Sequence, residues 1–256
     1  MRTQTTPLLL IAFLLSAMLY AATSAHSPED PPTTGTKAEW IRLFNGRTLD
    51  GWTGDPRYWS VEDGAIVGRC GTPELPCVTT YLHHDTPYDN FELTFEIKLE
   101  GDGANSGMQY RSTALGKGKG DGFDLRGYQA DFDGKHTYSG ILYETYGRGI
   151  AVQRGESMRF NPDGTKVPLA PRADDVKLKK TIATGANKDG WNRYRIVANG
   201  PKLEHWINGQ RTVLVEDNAK QAAAKGIFAL QIHGGPTMVV KARKIRLKRL
   251  DPKSQP

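Results

Sequence analysis

The sequence predicts an all-β, antiparallel sandwich, and three observations carry the prediction. "NFELTFEIKLE" alternates apolar Phe91, Leu93, Phe95, Ile97 and Leu99 with polar Glu92, Thr94, Glu96 and Lys98. That period of two marks a strand with one buried face. Asn208-Gly209 divides "KLEHWI" from "QRTVLV", and this dipeptide suits a two-residue hairpin because both turn positions need positive φ. Finally, 28 glycines and 15 prolines along 256 residues supply many turns between short strands.

Taken in order, the chain opens with Arg2, an apolar run from Leu8 to Tyr20, and Thr23 and Ala25 at the small positions of a cleavage site. The run is too short for an ordinary membrane span, so residues 1–25 are expected to be a secretory signal, with an uncleaved anchor as the alternative. Residues 26–38 carry Pro, Thr and Ser without a period and read as a disordered leader. A single sandwich domain is expected over 39–251, secreted or periplasmic, with no membrane contact after signal cleavage.

Within that domain "WIRLF", "YWSVEDGAIVG", "NFELTFEIKLE" and "WNRYRIVANG" read as strands. "NAKQAAAK" is the one helix-like stretch. Gln153 to Gly190 is polar and without period, and is expected to be a long functional loop near a cleft mouth. Cys70 and Cys77 bracket the turn-rich "GTPELP". In an exported chain this spacing favours a local disulfide over zinc or redox chemistry. The formal net charge is +6, and "KARKIRLKRL" holds six basic residues. With no interleaved aromatics it reads as a final strand with a solvated basic face, not as a nucleic-acid site.

Three segments place polar groups in rows. Asn105, Gln109 and Arg111 share one side of "GANSGMQYRS". Gln129, Asp131 and Asp133 share one side of "GYQADFDG". Gln231 and His233 share one side of "GIFALQIHGG". Amides, Asp, Arg and His among glycines describe the floor of a polar cleft for a sugar-like molecule.

From about Glu39 to Leu250 the chain resembles the 3-keto-disaccharide hydrolase family, formerly a domain of unknown function. Nine segments carry the resemblance in order: "LFNGRTLDGW", "YWSVEDGAIVG", "YDNFELTFEIKL", "GANSGMQYRS", "GYQADFDG", "SGILYET", "GWNRYRIVANG", "HWINGQ" and "GIFALQIHGG" with "VVKARKIRLKRL". The resemblance implies a concanavalin A-like jelly roll. It also implies cleavage of glycosides or disaccharides already oxidised to a ketone at C3, with a separate oxidoreductase supplying the ketone. Many relatives resemble "GYE" where this chain has "GYQ", so a carboxylate used at that position elsewhere must here come from Asp131 or Glu144.

A C3 ketone acidifies the C2 proton. A base removes it, the C1 substituent leaves by elimination, and water adds afterwards. The candidate catalytic residues are Asp131 as base, Glu144 in reserve and His233 as partner acid. Asn105, Gln109, Arg111, Gln129, Arg148, Trp206 and Gln231 are the candidate substrate-binding residues, with Arg111 expected to hold the enolate oxygen or a pair of hydroxyls and, if its strand neighbours that of Asp131, to keep Asp131 ionised. Plainer roles stand beside these: Asp131 in a turn, a Glu144–Arg148 salt bridge, a structural His233, a core Trp206. His83, His84 and His136 read as surface residues and not as metal ligands. Asp121 and Asp124 in "DGFD" suit calcium or plain solvation, so a divalent metal stays open. A non-catalytic carbohydrate-binding module on the same fold is the alternative function.

Overall fold

The protein is described by a computed structural model covering residues 39–116 and 123–251. The signal and leader expected over 1–38, and Asp121, lie outside these residues. In chain order the strands are β1 (Trp40–Arg42), β2 (Trp52–Thr53), β3 (Trp59–Glu62), β4 (Ala65–Cys70), β5 (Thr80–Tyr88), β6 (Phe91–Glu100), β7 (Asn105–Ala114), β8 (Leu125–Asp133) and β9 (Leu142–Thr145). They continue with β10 (Gly149–Val152), β11 (Ser157–Phe160), β12 (Lys166–Ala170), helix α1 (Asp175–Thr184), β13 (Asn192–Asn199), β14 (Lys202–Ile207), β15 (Gln210–Asp217), β16 (Gly226–Ile232) and β17 (Met238–Arg249).

Two sheets form. One runs β12-β11-β15-β14-β13-β6-β17-β4-β3, with β1 also paired to β17; the other runs β10-β9-β8-β7-β16-β5-β2. Pairing is antiparallel apart from β11 beside β15, which is parallel. The period-two reading of β6 holds: Phe91, Leu93, Phe95 and Ile97 are buried while Glu92, Thr94 and Lys98 are half-exposed. Phe91 meets Phe228 of the other sheet edge-to-face at 4.8 Å, and each such fully buried side chain contributes roughly 1.5–3 kcal/mol. Buried His205 bridges the sheets, its Nε2 2.9 Å from the Tyr110 hydroxyl and its Nδ1 3.1 Å from the Ile141 carbonyl. Asn208 and Gly209 turn between β14 and β15 at φ 49° and 82°, as the hairpin signal requires.

Cys70 and Cys77 form a disulfide. It closes the loop after β4, and that loop holds the chain beyond β16: Gly235 N donates to Cys77 O at 3.1 Å and Gly234 N to Thr79 Oγ1 at 3.1 Å. The basic C-terminal run is β17, anchored by buried Ile245 and Leu247, with Lys241, Arg243 and Lys244 paired to Glu100 and Glu96.

Two sequence expectations fail here. Gln153–Gly190 is not one structureless loop, since it contributes β11, β12 and α1. Asp174 caps that helix by accepting from Lys177 N at 3.0 Å, and Leu178 and Ile182, one turn apart, anchor it. "NAKQAAAK" is not helical. Its backbone serves other groups: Arg111 Nη1 donates to Ala223 O at 3.2 Å, and Ala223 N donates to the Tyr128 hydroxyl at 3.2 Å.

Candidate active site

The outward face of the seven-stranded sheet carries a cleft of about 590 Å³. Its floor comes from β5, β7, β8 and β16, and one wall from residues 138–150. Tyr81 and Gln231 are direct cross-strand partners, as are Gln109 and Gln129. Strand β7 lies between β8 and β16, so Gln129 must reach across it to meet Gln231. Gly107 makes that possible: a Cβ there would lie 2.8 Å from Gln129 Cγ.

The amides form one fixed chain. Gln109 Nε2 donates to Gln129 Oε1 at 2.8 Å and to Thr145 Oγ1 at 2.6 Å, while Gln109 Oε1 accepts from Ser112 at 2.8 Å. Gln129 Nε2 donates both to Asp131 Oδ1 and, at 3.0 Å, to Gln231 Oε1. Gln231 Nε2 donates to the Tyr81 hydroxyl at 3.0 Å. Each amide thereby has one orientation. Tyr81, receiving a hydrogen bond, keeps its own proton to donate. Burial raises the Tyr81 pKa, so that proton is retained.

Asp131 is buried at the edge of this chain and lines the cleft. Burial pushes its carboxyl up to about 7; Asp133 adds to the rise and the Gln129 hydrogen bond opposes it. The expected source of charge control is therefore corrected. Arg111 does not hold Asp131 ionised, and burial among neutral amides leaves it balanced near neutrality. Asp133, one step along the row, caps the 133–139 turn by accepting from the backbone N of Thr137, Tyr138 and Ser139 at 2.8–2.9 Å.

Asn105 lines the cleft, and its Oδ1 is buried without a partner among the described residues. His233 is exposed at the mouth, with Nδ1 2.6 Å from Gly234 O. Sequence reasoning missed Tyr81, Tyr138, Tyr143, Thr145, Tyr146 and Ile150, all of which line the cleft. Alternation in "SGILYET" was the available signal for two of them, since Tyr143 and Thr145 oppose Leu142 and Glu144. Asp124 also lines the cleft, held by the Tyr146 hydroxyl and by Leu125 N at 2.9 Å.

Four expected cleft residues lie elsewhere. The β7 register breaks between Tyr110 and Thr113, with Arg111 at φ 47°. A bulge of this kind re-aims the side chain. The Arg111 guanidinium donates to the carbonyls of Asp89 and Gly200, both at 2.9 Å, and of Ala223. Glu144 faces away from the cleft and shares Arg148 with Asp217, while Arg148 stacks 4.1 Å over Phe160. Trp206 lies on the outer face of the other sheet. His83 and His84, expected at the surface, are buried, His83 Nε2 lying 2.6 Å from Phe123 O. Among the described residues no three His, Cys, Asp or Glu side chains cluster as a metal site.

No curated protein matches the chain. Among solved structures, a candidate glycosyl hydrolase from Parabacteroides distasonis ATCC 8503 is 20% identical with a TM-score of 0.52, covering 83% of this chain and 94% of that one. A second from the same strain is 17% identical with a TM-score of 0.52, covering 83% and 100%. A Bacillus subtilis protein of unknown function with a galectin-like fold is 11% identical with a TM-score of 0.53, covering 80% and 92%. At such identities the likeness is one of fold, a jelly-roll sandwich. The model of the 3-keto-alpha-glucoside-1,2-lyase-like domain matches residues 39–248, and the chain belongs to that family.

Proposed function

We propose that the protein cleaves glycosides carrying a ketone at C3, by elimination across C1 and C2 followed by hydration. One observation carries the reading: Asp131 is a buried cleft carboxyl with a pKa near 7, oriented by a single amide donor. A general base works best when its pKa lies near the working pH. An ordinary glycosidase needs a second free carboxyl across the anomeric carbon. Among the described residues the other carboxyl that lines the cleft is Asp124, engaged by Tyr146 and by the Leu125 backbone.

In the proposed reaction Asp131 takes the C2 proton and negative charge develops on the C3 oxygen. Tyr81, whose proton is held by its raised pKa and whose oxygen is fixed by Gln231, donates to that oxygen. The C1–O bond breaks as C1=C2 forms, and His233 at the mouth protonates the leaving group. Water then adds to the unsaturated keto-sugar. Gln109, fully buried and expected to bind substrate directly, acts instead through the cleft residues Gln129 and Thr145 that it holds. A separate oxidoreductase makes the ketone, and both act outside the cytoplasm; the Cys70–Cys77 disulfide supports that compartment. No helix among the described residues is long and apolar enough to cross a membrane.

A binding-only reading draws on one feature, the cleft wall of Tyr138, Tyr143 and Tyr146, because aromatic faces stack on sugar rings. Incubation with a 3-keto-glucoside, with and without chelator, separates the two readings. Release of the aglycone supports the enzyme; retention of the intact ligand supports the module; loss of release with chelator adds a metal.

A further inference from the structure

The far side of the molecule has a surface that the cleft chemistry does not use. Direct cross-strand partners share a sheet face. On the outer face of the larger sheet they run Arg211, Trp206, Arg195, Thr94, Arg246 and Arg42, across β15, β14, β13, β6, β17 and β1. A depression of about 490 Å³ lies over Trp191, Arg193, Trp206 and Asn208, and a second of about 420 Å³ lies over Thr94, Arg193 and Arg246. They share Arg193 and Glu96, so they form one groove that crosses the strands.

The charges along this groove are unequally matched. Arg195 is paired with Glu92, and Arg243 and Lys244 with Glu96. The guanidinium groups of Arg42, Arg193 and Arg246 form no ion pair with a carboxylate among the described residues, while Arg211 lies near enough to Glu204 to help lower its pKa. Arg42 and Arg246 stand directly opposite one another in the register, an arrangement that is unfavourable for like charges. Trp206 is flanked by Arg195 and Arg211, whose guanidinium carbons lie 5.4 and 5.9 Å from its ring centre. A bound anion relieves the repulsion at one end of the groove, and at the other the indole of Trp206, its Nε1 donating to Glu204 at 3.0 Å, offers apolar surface to a sugar ring.

We infer that this groove is a second saccharide site, selective for an acidic, carboxylate-bearing oligosaccharide or polysaccharide. Six strands at a spacing of ~4.8 Å span about 24 Å, room for a chain of several sugar rings. A nucleic acid fits less well. Its bases need a succession of stacking platforms, and this groove places Trp191 and Trp206 together at one end, with Thr94, Arg193 and Arg246 along the rest. The inference does not depend on the cleft reaction, because the two sites lie on opposite sheets.

The test is affinity electrophoresis and calorimetry of the intact protein with oligogalacturonate, a neutral β-glucan oligomer and single-stranded DNA. The inference expects oligogalacturonate to bind, the neutral oligomer to bind at least tenfold more weakly, and DNA to compete poorly at physiological salt, where screening removes nonspecific contacts. Arg246→Glu and Arg193→Glu are exposed charge changes that leave the core intact, and each should weaken oligogalacturonate binding by about tenfold or more. Trp206→Ala should weaken it further, while Asp131→Asn leaves it unchanged. Equal binding of neutral and acidic oligomers, preference for DNA, absence of binding, or indifference to Arg246→Glu in a protein with wild-type melting temperature would each overturn the inference.

Discussion

Two buried acidic sites lie on opposite faces of the same sheet, and their surroundings give them different work. Asp131 faces the cleft with one amide donor and no cation beside it, and burial lifts it to about 7. Glu144 faces inward, where Arg148 joins it to Asp217 and Tyr128 donates to Asp217 at 2.7 Å. A buried carboxyl among neutral amides exchanges a proton near neutrality; one matched to a guanidinium serves as a clamp. Chemical type does not separate these residues. Strand parity and the nearest cation do.

The largest expected effect breaks the first half of this contrast. Asp131→Asn keeps an oxygen for the Gln129 amide, so the fold survives, but turnover on a 3-keto-glucoside should fall by at least ~10²-fold. Steady-state kinetics check this, and near-normal turnover would remove Asp131 as base. Breaking the clamp should do the reverse. Arg148→Ala leaves two buried carboxylates unmatched and should cost roughly 3–5 kcal/mol in urea unfolding, while any turnover by the residual folded protein keeps the pH dependence of the wild type.

The contrast also predicts a pH signature. The folded-state pKa of Asp131, about 7, lies above the ~3.9 of an unfolded aspartate. Its contribution to stability is therefore fully present below pH ~3.9 and is lost as pH rises through about 7. Asp131→Asn should match wild type near pH 4 and be more stable by a few kcal/mol at pH 8, measured by thermal melts at both values. A difference that does not change with pH would mean that burial does not set this carboxyl. A smaller effect sharpens the picture of the cleft rim. Cys70→Ser with Cys77→Ser should lower stability by about 2–3 kcal/mol, from loss of a short-loop constraint. It should also loosen His233, through the Gly234 and Gly235 contacts to that loop.

The sandwich was legible because alternation in "NFELTFEIKLE" and the Asn208-Gly209 turn are local signals that the packing obeys. Gln129, Asp131 and Gln231 were legible for the same reason. Arg111 was not, because a bulge changes parity by one residue, and a single slip moves every later side chain to the other face. Tyr81 was hidden in "TTYLHH", where Tyr and His carry no parity signal of their own. Helix α1 was hidden by its polar composition, since only Leu178 and Ile182 anchor it. The Ala-rich "NAKQAAAK" misled because Arg111 and Tyr128 take up its backbone groups, a tertiary effect that propensity does not report.

The most direct measurement is solvent deuterium exchange at C2 of a 3-keto-glucoside, followed by NMR in heavy water with wild type and Asp131→Asn. Protein-dependent exchange at C2 is expected, rising through an apparent pKa of about 7 and absent in Asp131→Asn even where the sugar still binds. Exchange that persists in Asp131→Asn, or wild type that binds the keto-sugar yet never exchanges the C2 proton, would contradict it.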